Sequence, residues 1–523
     1  MTSETDNIVR PVGTAAKFNT SRHSLGLYRS VINTSRYTVS RTLLQQQQTS
    51  LATVIENALA AVVLRHGLLR VGIAGEDTKE PAFAHLRAIY MRRMIEWEEL
   101  RVSSEEWDER LLRSLERRHE LLWEDLARKP GWKIVVHHDP RDTGTALHGN
   151  NITEAVSLDI SFCFHHAYAD GKSGAIFHRD LVSALNSNSA SASHSQQSPP
   201  ELQNHILPLP SPPALPPPLE TLVPLPLSWP FLLRTIWAEL LYPVLVPAFA
   251  QRMFAQEMPW TGGVIDASSA VVRQRLLQIP QKELVRVLDA CRARGATLTG
   301  LVHALVLGAL CWGGKMRDEA AHAFRGETPI SLAGYADPKF TDVFRAEDSM
   351  HCLVTAHVSV FDAVLVKRFR RAGSRTEERE ALVWDLAADV TKNLHKRAAE
   401  LPRDDILGLL HFVSDWHDFF RKKLGKQREC SWEVSNIGSM KSPKGAIMDG
   451  GSDGWCIVRS VFTQGAAPAG AAFKVNVAGV EGEGLTLAVS WQEGIVDDEV
   501  MEGVVRDMGR WLHGLGEGGR LDL

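Results

Sequence analysis

Cysteine is sparse and scattered in this 523-residue chain: the six lie at Cys163, Cys291, Cys311, Cys352, Cys430 and Cys456, and no two form a CxxC pair. That excludes a disulfide framework and a zinc ribbon, and reads as free thiols in a reducing compartment. Charge of one sign is also missing. The 58 Lys and Arg stand against 62 Asp and Glu, for a net charge of -4. Such a balance leaves no electrostatic footprint for nucleic acid, so the expected partner is a small molecule or a protein. The N-terminus, MTSETDNIVRPVG, lacks the apolar core of a secretory signal, so a cytoplasmic rather than secreted protein is expected. No run reaches ~18 uninterrupted apolar residues. The nearest, Leu227 to Ala250, is interrupted by Arg234, Glu239, Pro230, Pro243 and Pro247. It reads either as a packed hairpin or as an element lying on a membrane surface.

What is present suits a globular fold. Hydrophobic residues make up 44% and charged residues 23%, and the length suggests two or three compact units. Residues 1–20 read as a disordered N-terminus and 21–185 as a first lobe. Residues 186–230 read as a Ser/Pro-rich linker, since 12 of the 25 prolines fall between Pro199 and Pro230. Residues 231–259 form an apolar segment, and 260–523 a second lobe. Apolar spacing predicts helices over 50–65, 105–128, 281–294, 376–399 and 500–512, and one from Thr297 or Thr299 to Leu310. Alternation predicts strands over 133–137 and 156–164, and β structure from Ser431 to Trp491. Strands and helices alternate through both halves, which implies an α/β or α+β architecture.

One stretch carries chemistry: Phe164-His165-His166-Ala167-Tyr168-Ala169-Asp170-Gly171. Two histidines follow a buried strand, and a glycine turn comes after. Imidazole titrates near neutrality, so a ring held at a strand end can take a proton from a hydroxyl or an amine. The plain alternative is a structural, satisfied histidine pair. His165, His166, Asp170 and His178 are close enough in sequence to suggest a metal. Adjacent side chains on a strand point to opposite faces, however, so no metal site is expected. Gly171-Lys172-Ser173 resembles the end of a phosphate-binding loop, but the glycine that motif needs five residues before Gly171 is His166.

HHAYADG resembles the HHxxxDG signature of the chloramphenicol-acetyltransferase-like superfamily. That group includes plant BAHD acyltransferases, peptide-synthetase condensation domains and fungal alcohol acetyltransferases. Further stretches resemble the fungal alcohol O-acetyltransferases in particular: Arg22 to Tyr37, LRHGLLRVGIAG around His66, WKIVVHH, WTGG at Trp260, CRARGATLTGLVHALVLGAL, PISLAGYADP, SWEVSNIGSM and FTQGAAPAG. The resemblance spans roughly residues 20–515; the DFGWG sequence of the plant branch is absent.

The resemblance implies a two-lobed fold, each lobe a mixed sheet with covering helices, and an active-site tunnel between them. It implies acetyl-CoA as co-substrate, no tightly bound cofactor, and a small alcohol or amine as acceptor. His166 would be the base that activates the acceptor. Asp170 would be structural and pair with an arginine, for which Arg22, Arg29 and Arg36 are candidates. Gly171 would permit the turn, and His165 would pack or orient. Ser435 and Asn436 are candidates for an oxyanion donor, with plain turn chemistry as the alternative. His303 is either a satisfied core residue or part of the tunnel. Arg421 to Arg428 is either a solvated helix end or a receiver for a CoA phosphate. A monomer is expected. Relatives associate with the endoplasmic reticulum or lipid droplets, so peripheral membrane contact stays open. A catalytically silent protein of the same fold is the competing class; the intact His166, Asp170 and Gly171 argue against it.

Overall fold

The alternation that marks residues 156–164 builds the middle of the first sheet. In the computed structural model, which describes residues 7–46, 49–143, 155–189, 202–237, 258–313, 321–442 and 454–523, this strand runs Ala155–Phe164. One of its faces stacks Phe162 on Phe177, with ring centroids 3.9 Å apart. The other buries Cys163 against Leu111, Leu112, Leu115 and Val135. Cys163 thus behaves as a small apolar side chain.

In chain order the first half supplies helix α1 (Thr14–Ser24) and strand β1 (Val31–Ser40), then helix α2 (Leu51–Arg65) and strand β2 (Ile95–Glu99). Helix α3 (Trp107–His119), strands β3 (Trp132–His138) and β4 (Ala155–Phe164), and helices α4 (Gly171–Ser189) and α5 (Trp229–Ile236) follow. The second half supplies β5 (Val272–Pro280), α6 (Gln281–Ala293), α7 (Leu298–Trp312), β6 (Phe324–Ser331), β7 (Val354–Phe361), α8 (Thr376–Glu400) and α9 (Trp416–Arg421). Strands β8 (Trp432–Met440), β9 (Cys456–Gln464), β10 (Phe473–Val480) and β11 (Gly484–Gln492) precede the closing helix α10 (Asp498–Gly518). Thr297 caps α7, its hydroxyl accepting from the Gly300 N–H.

Two mixed sheets result. The first has the order β9-β1-β4-β3-β2, the second β5-β11-β10-β8-β6-β7. Helices cover each, and each has its own apolar core. The expected two-lobed α/β architecture is therefore present, but its boundary is not a single cut in the sequence. Strand β9 belongs to the second half of the chain and pairs antiparallel with β1 of the first, from Cys456↔Thr38 to Gln464↔Val31.

Two expectations about the ends of the lobes are corrected. Residues 1–20 are expected to be disordered, but Ile8–Pro11 forms a short strand paired with Ala82–His85, and helix α1 begins at Thr14. The Pro-rich stretch is not a free tether over its described part. Ile206–Pro208 pairs as a strand with Ala88–Tyr90, and Leu207, Leu209, Leu219, Leu222 and Val223 are buried. Proline costs little there, because a two-stranded edge leaves donor positions unneeded. Of the apolar segment 231–259, residues 238–257 lie outside the described residues.

Candidate active site between the lobes

Strand β4 ends at Phe164, and the chain turns at once. The Tyr168 N–H donates to the His165 carbonyl, and the His165 N–H to the Gly131 carbonyl. This turn brings the Ala169 carbonyl to 2.8 Å from His166 Nδ1. Nδ1 must carry the proton to make that bond, so Nε2 is left with its lone pair free. The Asn19 amide holds the His166 carbonyl at 3.4 Å. Burial first, and then the positive charge of Arg22, pull the His166 imidazole down to about 4. The ring is therefore a neutral base at physiological pH.

Asp170 is the N-cap of α4. Its Oδ1 accepts from the backbone N–H and the hydroxyl of Ser173, at 2.9 and 3.1 Å. Its Oδ2 accepts from the Leu353 N–H at 3.3 Å and lies 3.5 Å from His351 Nε2. The expected arginine partner is a correction: Arg22 donates to Asn19, Arg29 to the Glu120 carbonyl, and Arg36 pairs with Asp159 at 2.6 Å. Backbone donors at a helix start satisfy the carboxylate, so no guanidinium is required. Through these bonds Asp170 and Ser173 fix residues 349–353 beside the His166 turn. Cys352 Sγ comes to 3.6 Å from His166 Nδ1.

His165 points away from His166, as adjacent side chains should. With His23 it surrounds Glu76: His165 Nε2 lies 2.8 Å and His23 Nδ1 2.9 Å from the same Glu76 oxygen. The trio has the spacing of a metal site. Its tautomers speak against one. The second nitrogen of each ring accepts a backbone N–H, from Ala167 for His165 and from Trp123 for His23. The nitrogens facing Glu76 therefore carry protons and donate, and a metal would need both rings as imidazolates. Burial opposes ionisation of Glu76, yet the bonds from His165 and His23 hold its carboxyl down at about 2. His178 lies apart, between the Tyr37 hydroxyl and the Asn33 carbonyl.

His166 opens on a cavity of about 450 Å³ between the lobes. Both halves of the chain line it. Arg22, Tyr28 and His166 come from the first, and Glu327, Cys352, Glu433, Ser435, Phe462, Gln464 and Lys474 from the second.

Residues 105–505 match the family model of alcohol acetyltransferases. The chain belongs to the alcohol acetyltransferase family. It is 27% identical to a probable alcohol acetyltransferase of Fusarium pseudograminearum, over 99% of this chain and 97% of that one. It is 26% identical to a probable alcohol acetyltransferase of Aspergillus fumigatus, over 92% and 94% of the two chains. Among solved structures, the trichothecene 15-O-acetyltransferase from Fusarium sporotrichioides aligns with a TM-score of 0.65 at 14% identity, covering 96% and 94% of the two chains. The first condensation domain of the calcium-dependent antibiotic synthetase aligns at 0.55 and 14% identity, covering 97% and 96%. These two show the fold that the HHxxxDG resemblance implied.

The remaining residues of this acetyltransferase sort by geometry. Gly171 does not serve a positive φ. A Cβ there would meet Ile437 Cγ2 at 2.5 Å and Phe462 Cζ at 2.9 Å, so glycine allows β8 and β9 to approach the start of α4. His303 is a correction for the tunnel: it is fully buried behind the second sheet. Its Nε2 lies 2.7 Å from the Thr328 hydroxyl, and its Nδ1 accepts from the Trp432 indole. Asn436 is engaged, its amide with Thr299 and its oxygen with the Gly438 N–H. Ser435 is 7% exposed and faces the cavity; its hydroxyl has no partner among the described residues. Arg428 is not a solvated helix end. It is buried, donating to the carbonyls of Gly263, Ala467 and Gly470 and to Gln492.

Sequence reasoning missed the polar wall opposite His166. Glu327, Glu433 and Lys474 lie side by side, because β6, β8 and β10 pair in parallel or register as Glu327↔Glu433 and Glu433↔Lys474. Lys474 donates to Gln464 Oε1 at 3.0 Å and sits 4.6 Å over the Tyr28 ring. Gln464 in turn donates to Glu433 at 2.6 Å, and the Tyr28 hydroxyl to Gln464 at 2.6 Å. Burial pulls the Lys474 ammonium down to about 8. Burial, and then the Glu433 carboxylate, push the Glu327 carboxyl up to about 7. The only signal was Lys474 and Asn476 alternating with Phe473, Val475 and Val477. On its own that pattern reads as a solvent face, whereas here it is the wall of a cavity.

Proposed function

We propose that the enzyme transfers an acetyl group from acetyl-CoA to a hydroxyl of a small alcohol or secondary metabolite, with His166 as general base. One observation carries this reading: the Ala169 carbonyl fixes the His166 tautomer with Nε2 unprotonated, and the ring opens on a cavity that both lobes build. His166 Nε2 takes the hydroxyl proton as the oxygen attacks the thioester carbonyl. A C–O bond forms and the carbonyl electrons move to oxygen. The tetrahedral intermediate then collapses, the C–S bond breaks, and the CoA thiolate recovers the proton from His166. The ester and free CoA leave. No acyl-enzyme is needed, and the half-buried Cys352, its thiol pushed up by desolvation and then by the Asp170 carboxylate, is a poor nucleophile. Ser435, with its unpartnered hydroxyl, is assigned as the donor to the developing oxyanion.

Thiol release from acetyl-CoA against a panel of alcohols tests the reading. His166→Ala should lower acceptor-dependent release by ~10²–10⁴-fold while the protein stays folded. A folded mutant with undiminished turnover would sink the mechanism.

Contact with a lipid surface is proposed on a separate observation. Helix α5 leaves Trp229 77% and Leu233 62% exposed, with Ile236 and Trp237 beside them. It follows the segment whose Leu227 packs on Gly408, next to Ile406, Leu407 and Leu410 at the cavity. No single described helix is long and apolar enough to cross a membrane. Co-sedimentation with phosphatidylcholine vesicles should fall in a Trp229→Ser/Leu233→Ser variant; equal binding by both proteins rejects the assignment.

A further inference from the structure

The cavity wall holds two carboxylates where a hydrocarbon acceptor would need none. Glu327 and Glu433 face each other across the β6–β8 pair, and both line the cavity. Neither forms an ion pair with a cation among the described residues. The Glu433 carboxylate accepts one hydrogen bond among the described residues, from Gln464. Glu327 has none among the described residues; protein encloses it, and its remaining exposure is to the cavity. Arg22 and Lys474 act on Glu327 through space and draw its carboxyl down, but neither reaches either carboxylate as an ion pair among the described residues. Arg22 donates to Asn19 and lies between the Phe18 and Tyr28 rings, at 4.3 and 4.6 Å. Lys474, 4% exposed, is held by Gln464 and the Tyr28 face.

Two like charges side by side in an enclosed space are costly unless a proton or a cation comes between them. Lys474 and Arg22 offset these charges only from a distance, so a ligand that brings a cation into direct contact forms an ion pair that the described residues do not make. The wall is also close to the base: Tyr28 packs against His166 with centroids 5.5 Å apart and reaches Gln464 with its hydroxyl.

We propose that Glu327 and Glu433 form a binding site for a cationic nitrogen carried by the acceptor, so that the acceptors of this enzyme are alcohols bearing a protonated amine. The inference rests on the reading of the His166 cavity as the acyl-transfer site. Glu327 is the specificity-determining residue: it has no partner until the acceptor arrives. The carboxylates hold the ammonium, and the acceptor hydroxyl, elsewhere on the same molecule, is presented to His166 Nε2.

Two measurements separate this inference from the reading beneath it. The first compares kcat/KM for 4-(aminomethyl)benzyl alcohol and 4-ethylbenzyl alcohol, which match in shape and differ in charge. The wild type should prefer the amine by about tenfold or more, the scale of one charge-assisted contact. In Glu327→Gln that ratio should fall towards one. No preference in the wild type, or a preference that survives in Glu327→Gln, overturns the proposal. The second needs no turnover: benzylamine should raise Tm of the wild type more than benzyl alcohol does at equal concentration, and should not do so in Glu327→Gln. If that variant does not fold, Glu433→Gln takes its place in both comparisons. Absence of any acceptor-dependent CoA release, with the benzylamine shift intact, would reject the acyl-transfer reading and leave the cation site standing. Equal shifts from the two probes would reject the cation site whatever the kinetics show.

Discussion

Asp170→Ala removes the acceptor for two backbone N–H groups and one hydroxyl, all at a position only 2% exposed. The loss of an N-cap costs about 1 kcal/mol, and the buried donors left behind add about 1–3 kcal/mol. Chemical denaturation should therefore show a markedly less stable protein, and kcat should fall with it, because residues 349–353 lose their anchor beside His166. A variant that loses only turnover, at full stability, would mean that Asp170 takes part in the chemistry. At this scale the sequence carried the motif but not its bonding. HHAYADG was legible from a strand followed by a turn. The arginine partner for Asp170 was not, because hydrogen bonds to a helix start leave no mark on the spacing of charges. Glu327 and Lys474 were not legible either, since a polar residue alternating with valines looks the same whether it faces water or a cavity.

The start of helix α4 meets strands β8 and β9, and Gly171 is where they touch. Gly171→Ala places a methyl group against Ile437 and Phe462, neither of which is a free-swinging polar chain end. Overpacking of this kind costs about 1–3 kcal/mol. The cost should appear as a lower Tm and a higher KM for either substrate, since the same contact sets the cavity wall. An unchanged Tm would show that the strands yield freely. Elements with strong periodicity were read from the sequence nearly to the residue, as with α2 over Leu51–Arg65 and β3 over Trp132–His138. Segments whose order depends on distant partners were not. Helix α1 has little amphipathic character of its own, and it is held by packing against α9 and the residues of 219–222.

Across the molecule, six histidines among the described residues are held strongly towards the neutral form by burial. Burial holds His119 and His303 down at about 3, and His137, His165, His166 and His178 at about 4. Their ordinary value is near 6.5. Below it the unfolded chain takes up protons that the native state refuses. Stability is thus complete above pH about 6.5 and falls as the pH drops towards 4, by up to about 1.4 kcal/mol per histidine per pH unit. Denaturation midpoints measured from pH 7.5 to 5 should fall steeply below pH 6.5. A flat profile down to pH 5 would mean that these rings gain protons in the folded state. Their burial could not be read from composition, because a histidine in an apolar run is the same letter whether its nitrogens are satisfied or free.

Strand β9 has a consequence for inheritance as well as for shape. A gene divided in the proline-rich stretch would not give two independent proteins. The first product would carry the outer edge of β1 as a row of bare amides, and the second would carry β9 with nothing to pair with. Each alone would be prone to aggregate, and only coexpression would restore the ten-residue strand β1 to its neighbour. The two lobes can drift in sequence, but they cannot be shuffled one at a time.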